Sequence, residues 1–205
     1  MRRFLYCGVL SAACVVFLCG CTGVEAEKRA YPQVIAVDVA DEGYEVIYGM
    51  PNMQQATGQD KSGGQAQPST LIFKGKNIAS IKRKYNRTQE KYMDLGHVQV
   101  LILGDTIAGN DLWEQVFSSM KRDASIGEDM YVFQTADIEQ IMEFNGQKTD
   151  SLGDYLMGIY ENRPYMRGEK GVTLRQAYKT WFETGDLCTL PRIVVQEQGY
   201  LEVIQ

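Results

Sequence analysis

Residues 97–104 read His97-Val98-Gln99-Val100-Leu101-Ile102-Leu103-Gly104, and from Val100 onward they are apolar at consecutive positions rather than alternating ones. A strand of that kind has no solvent face, so it belongs inside a sheet covered on both sides by helices. The following residues agree with this. Asn110 or Asp111 can cap a helix carrying Leu112, Val116, Phe117 and Met120, and 130–133 supplies a second strand. Strand, helix and strand in that order predict a βαβ unit, with parallel neighbouring strands joined by a right-handed crossover over 111–122. The expected fold class is α/β: a mixed sheet with a βαβ unit, flanking helices and peripheral β-hairpins.

The hairpins come from strand-like runs on either side of turn residues. Val34, Ile35, Ala36, Val37 and Val39 precede the turn residues Asp41-Glu42-Gly43, and Tyr44, Val46, Tyr48 and Met50 alternate after it. A second pair, 193–195 and 200–204, flanks Gln198-Gly199. Between Thr57 and Pro68 no large apolar residue occurs, which predicts a mobile loop before a strand at 70–73. Ile78, Ile81, Tyr85 and Tyr92 fall near one face of a helix starting at Asn77, with Lys82, Arg83, Lys84, Arg87 and Lys91 around the rest. Further helices are expected over 137–145, from Ser151 with Asp154 as a capping box until Pro164, and over 174–182 before Gly185. The aromatic stripe Tyr178, Trp181 and Phe182 of the last helix is expected to pack on the sheet.

The N-terminus has a different character. Arg2 and Arg3 precede an uncharged, mostly apolar run over 4–18, too short to span a bilayer as a helix but of secretory-signal length. It ends in Leu18-Cys19-Gly20-Cys21, which resembles a bacterial lipobox. That resemblance implies cleavage between Gly20 and Cys21, lipidation at Cys21 with diacylglyceryl and fatty acyl (palmitate-type) chains, and stable membrane anchoring. The alternatives are an uncleaved membrane anchor or half of a metal site. The single histidine, His97, and the lone downstream Cys188 are too few ligands for a closed zinc site. The expected organisation is a signal peptide over 1–20, a tether over 21–32 and one α/β domain over 33–205.

The residues give little support for catalysis. No G-x-S-x-G elbow accompanies His97, and neither G-x-x-x-x-G-K-[ST] nor G-x-G-x-x-G occurs. The acid pairs Glu128 with Asp129 and Glu25 with Glu27 sit in turn or tether contexts, so no catalytic, cofactor or metal residue is assigned. A net charge of -5 and a pI near 5.0 argue against a nucleic-acid partner. The one opposing feature is the basic stretch Lys74, Lys76, Lys82, Arg83, Lys84, Arg87 and Lys91. It reads either as a solvated helix face or as a surface for anionic headgroups.

The order of these pieces resembles the N-terminal part of the Ger(x)C family, the lipoprotein C subunits of nutrient germinant receptors in endospore formers. The carriers are the lipobox at Cys21, Glu27-Lys28-Arg29-Ala30-Tyr31 leading to a strand with Asp38, and Tyr44-Glu45-Val46 followed by the Gly/Gln-rich loop. The 96–104 segment, Asp129-Met130-Tyr131-Val132-Phe133 and Leu190-Pro191 complete it. The resemblance implies a non-enzymatic subunit at the spore inner membrane, partnered by integral-membrane receptor subunits. Family members typically run nearly twice this length, with a C-terminal domain. Other classes of reading are an extracytoplasmic solute-binding lipoprotein and a surface hydrolase.

Overall fold

The computed structural model describes residues 24–51, 70–162 and 171–205. A short strand, β1 (Arg29–Ala30), comes first, followed by β2 (Val34–Ala40), β3 (Gly43–Gly49) and β4 (Thr70–Gly75). Helix α1 (Ile78–Thr88) leads to β5 (Tyr92–Met93) and β6 (Val100–Gly104). A short α2 (Asp105–Ala108) and then α3 (Leu112–Lys121) carry the chain to β7 (Tyr131–Thr135). After α4 (Ile138–Met142), α5 (Leu152–Glu161) and α6 (Leu174–Thr184) come β8 (Arg192–Val195) and β9 (Leu201–Ile204).

Among the described residues, seven strands form one mixed sheet in the order β4-β3-β2-β6-β7-β8-β9. The expected βαβ unit is present: β6 and β7 are parallel neighbours, with Leu101 opposite Val132, and α3 lies in the crossover between them. Both hairpins form and flank this parallel centre. β2 is antiparallel to β3 and β8 to β9, while β2 also pairs parallel with β6. The first hairpin is therefore joined to the centre of the sheet through β2.

Period-two alternation sorts the strand side chains into two cores. Ile35, Val37, Leu101 and Leu103 face α1, α3 and α6, whereas Val34, Ala36, Val100 and Ile102 face α4 and α5. Because every residue of β6 is buried, both its faces are covered, which explains the continuous apolar run. Each fully buried side chain of this size is worth about 1.5–3 kcal/mol of transfer free energy.

Local chemistry sets the helix ends. Asn77 and Ser80 form a reciprocal capping box on α1, and Thr173 and Gln176 form one on α6, which ends at Gly185 with φ 82°. The box expected at Ser151 and Asp154 forms only by half. Ser151 Oγ accepts the Asp154 N–H, but the Asp154 carboxylate instead accepts from Gln99 Nε2 at 2.8 Å. Asp111 occupies the N-cap position of α3 without a side-chain cap.

Two expectations are corrected. Tyr92 belongs to β5 and is exposed, because α1 stops at Thr88 and its buried stripe is Ile81 and Tyr85. Phe182 is 66% exposed and only Leu174, Ala177 and Tyr178 of α6 are buried. Tyr178 is in the core and Trp181 packs against it as expected, but Phe182 lies at the outside, where Lys121 sits over the Tyr178 ring at 4.6 Å and the Phe182 ring at 5.5 Å. Within the stretch expected to be a tether, the chain meets the domain from Arg29. β1 pairs with β5, and Arg29 makes an ion pair with Asp94. The loop expected over 57–68, Pro164, and Gly20 with Cys21 lie outside the described residues.

Candidate functional site

The basic helix and the crossover helix sit side by side on the same face of the sheet without closing completely. Helix α1 turns Ile81 and Tyr85 onto the sheet, which leaves Lys82 and Arg83 on the sides and outside. Helix α3 buries Trp113, Val116, Phe117 and Met120. Between the two is a recess of about 270 Å³. Its floor is Ile35 and Val37 of β2 with Val46 and Tyr48 of β3, and its rim includes Ala79, Lys82, Ser119, Arg122 and Asp123. A shallower, polar recess lined by Arg83, Glu114 and Gln115 shares Ala79, Ser119 and Arg122 with it.

One ion pair crosses the opening. Lys82 Nζ donates to Asp123 Oδ2 at 2.7 Å, and Asp123 Oδ1 accepts from the Ser125 hydroxyl at 2.7 Å. Burial works against the Asp123 carboxylate, but the Lys82 ammonium and the Ser125 hydroxyl and N–H outweigh it and hold its pKa below the usual carboxylate value. The pair links the middle of α1 to the turn after α3. Arg83 and Arg122 have no carboxylate partner among the described residues.

Tyr48 is the unusual member of the floor. It is 6% exposed, and its hydroxyl has no hydrogen-bond partner among the described residues. Burial pushes its pKa up to about 12, helped by the neighbouring Tyr85 and the charge of Asp123. At neutral pH it is therefore a protonated donor. A tyrosine in an alternating strand gives no sequence signal that it lines a void, so the sequence reading placed Tyr48 in the strand pattern only. Asp123 was missed because its partner Lys82 lies far away in the chain and meets it only across the two helices.

The structure scatters the other residues considered from sequence. His97 ends a 3-10 turn and packs edge-on against Tyr31 at 5.0 Å. Glu128 pairs with Lys121 and Asp129 with Arg175, so the adjacent acids do not share a cleft. Lys74 of the basic stretch pairs with the nearly buried Glu45 at 2.6 Å, an ordinary cross-strand contact between β4 and β3. Cys188 is a half-buried thiol whose pKa is raised by burial. Among the described residues, no three His, Cys, Asp or Glu side chains converge in a way that suits a metal ion.

A sequence-family model described as "Spore germination protein N-terminal domain" matches residues 23–195. The chain belongs to that family. The match starts just before the first described residues and ends with β8, so it covers the α1/α3 recess and all of both cores except the β9 residues Leu201 and Val203. No curated protein and no solved structure matches the chain. Family membership places the protein in spore germination. It is also the resemblance expected from the order of the sequence motifs. No helix among the described residues is long and apolar enough to cross a membrane.

Proposed function

We propose that this spore germination protein is a lipid-anchored, non-enzymatic subunit of a nutrient germinant receptor. It is held through Cys21 on the extracytoplasmic face of the spore inner membrane, beside integral-membrane receptor subunits. The observation that carries this reading is the family match over 23–195, which begins two residues after the lipobox cysteine. The fold adds a physical reason. Only Thr22 and Gly23 separate Cys21 from the described body, and an extended chain covers at most about 3.6 Å per residue. A lipid on Cys21 would hold the domain within roughly 10 Å of the headgroups, close enough for lateral contact with membrane partners.

Deletion of the gene in the parent spore former tests the reading. Spores are expected to lose or slow their response to at least one nutrient while sporulation and receptor-independent germination continue. The wild-type protein is expected in the membrane fraction, with intact mass showing acylation, and Cys21→Ala is expected in the soluble fraction. Unchanged germination toward every nutrient, in a strain without a paralogue, would reject the receptor role. An unmodified Cys21 in the membrane fraction would reject the anchor.

A further inference from the structure

The recess between α1 and α3 has an apolar floor and a polar rim. Among the described residues, Tyr48 on the floor has no hydrogen-bond partner for its hydroxyl and Arg122 on the rim has no carboxylate partner, while Arg83 lines the adjoining recess with Arg122. The Tyr48 hydroxyl is free to donate to an acceptor that enters the recess. The floor of Ile35, Val37 and Val46 gives such a molecule no polar contact beyond Tyr48. Charge complementarity then fixes the other end. The Lys82 ammonium is already engaged by Asp123, so the unengaged charge shared by the two recesses is the Arg122 guanidinium.

We infer that this recess binds a small organic acid with an apolar body, its carboxylate accepting hydrogen bonds from Arg122 at the mouth and an interior oxygen accepting one from Tyr48. The size agrees with that class. A cavity of roughly 150 Å³ already accepts benzene, and drug-sized ligands take roughly 300 Å³ or more. At about 270 Å³ the recess suits a ring or short chain with a few additional atoms. The ion pair Lys82–Asp123 spans the same opening, so it must be crossed or briefly opened for entry. This inference stands on the recess alone and does not depend on the receptor assignment.

The test uses the full-length chain in phospholipid nanodiscs, with 4-phenoxybutyrate as the probe and empty nanodiscs as the blank for calorimetric titration. Saturable binding is expected with a Kd of about 1 mM or tighter. The neutral alcohol 4-phenoxybutan-1-ol should bind at least about tenfold more weakly. Arg122→Gln and Tyr48→Phe should each weaken the acid, by about tenfold and about fivefold, with unchanged thermal melting. Ala79→Trp, an exposed rim substitution that plugs the opening, should abolish binding, while Arg175→Gln on α6 should leave it unchanged. Absence of saturable binding, or binding indifferent to both Arg122→Gln and Ala79→Trp, overturns the inference. Normal germination of deletion spores together with probe binding would reject the receptor reading and leave this one standing.

Discussion

Arg29 Nη1 donates to Asp94 Oδ2 at 2.7 Å, and the Asp94 N–H donates to the Ala30 carbonyl oxygen at 2.9 Å. Two contacts thus fasten the first described strand to the turn ahead of β6, at the end of the domain nearest the proposed anchor in sequence. The Arg29 guanidinium and the Gly96 N–H hold the Asp94 pKa below the ordinary carboxylate value.

Breaking this latch should loosen the segment without unfolding the sheet. In Arg29→Ala, amide exchange at Met93 and Asp94 should accelerate, while Leu101 to Leu103 keep their protection. The pH dependence has a definite sign. A depressed folded pKa contributes stability that is present above the unfolded value, about 3.9, and is lost as pH falls through the folded value. Wild-type melting should therefore drop in acid more steeply than that of Arg29→Ala. Equal exchange at Asp94 in the two proteins would show that the ion pair holds nothing.

That latch also shows where sequence reading stops. The central sheet was legible because burial on both faces writes itself as an unbroken apolar run at β6, while a β-branched run marked β2, alternation marked β3, and Gln198-Gly199 between two short strands marked the final hairpin. The seating of residues 24–31 was not, because it rests on one ion pair and two strand residues rather than on a hydrophobic period. Tyr92 and Phe182 were misplaced for a related reason: helical spacing was extended past the point where α1 stops, and an exposed aromatic under Lys121 has the same spacing as a buried one. The family's motif order was readable from the chain. The α1/α3 recess was not, since a void is a property of how two helices diverge and neither helix carries a mark of it.

Leu101 lies in the most buried strand, with 0% exposure, between β2 and β7. Leu101→Ala should cost about 2–5 kcal/mol, the range for a truncated core leucine with its residual cavity. Leu101→Asp adds a buried charge without a partner and should prevent folding outright. Chemical denaturation checks the first and the soluble yield with circular dichroism the second. A loss below about 1 kcal/mol for the alanine would contradict full burial of this strand.

Asp38 is set against Glu45, directly opposite on β3, with Asp105 and Asp137 also near. Burial raises its pKa, the Val39 N–H works against that, and the three acids add to the rise. A carboxylic acid with a raised folded pKa contributes stability that is present below the unfolded value and lost as pH rises. Asp38→Asn keeps an acceptor for the Val39 N–H and removes the charge, so it should stabilise the domain at neutral pH. The gain expected from relieving like charges across a strand pair is about 0.2–1 kcal/mol. It should disappear in acid, where the wild-type carboxyl is protonated. Melting curves at both pH values decide it, and destabilisation at neutral pH would show that the carboxylate has a favourable role here.

Gly104, the last residue of β6, lies directly against that same aspartate. A Cβ there would come within 2.5 Å of the Asp38 Cγ and closer still to Oδ1, although Gly104 itself has φ -63° and strains no backbone rule. Gly104→Ala should therefore destabilise the domain by about 1–3 kcal/mol through overpacking, not through conformational restriction. The two causes separate in a double-mutant cycle. With Asp38→Ala the obstacle is gone, so adding Gly104→Ala to that background should cost about 0.5 kcal/mol or less, giving a coupling of roughly 1 kcal/mol or more between the sites. Asp38→Asn, which keeps the side chain's size, should not relieve the clash. Additive losses in the Asp38→Ala background would remove the steric explanation and leave the glycine at the end of β6 to be explained by the backbone.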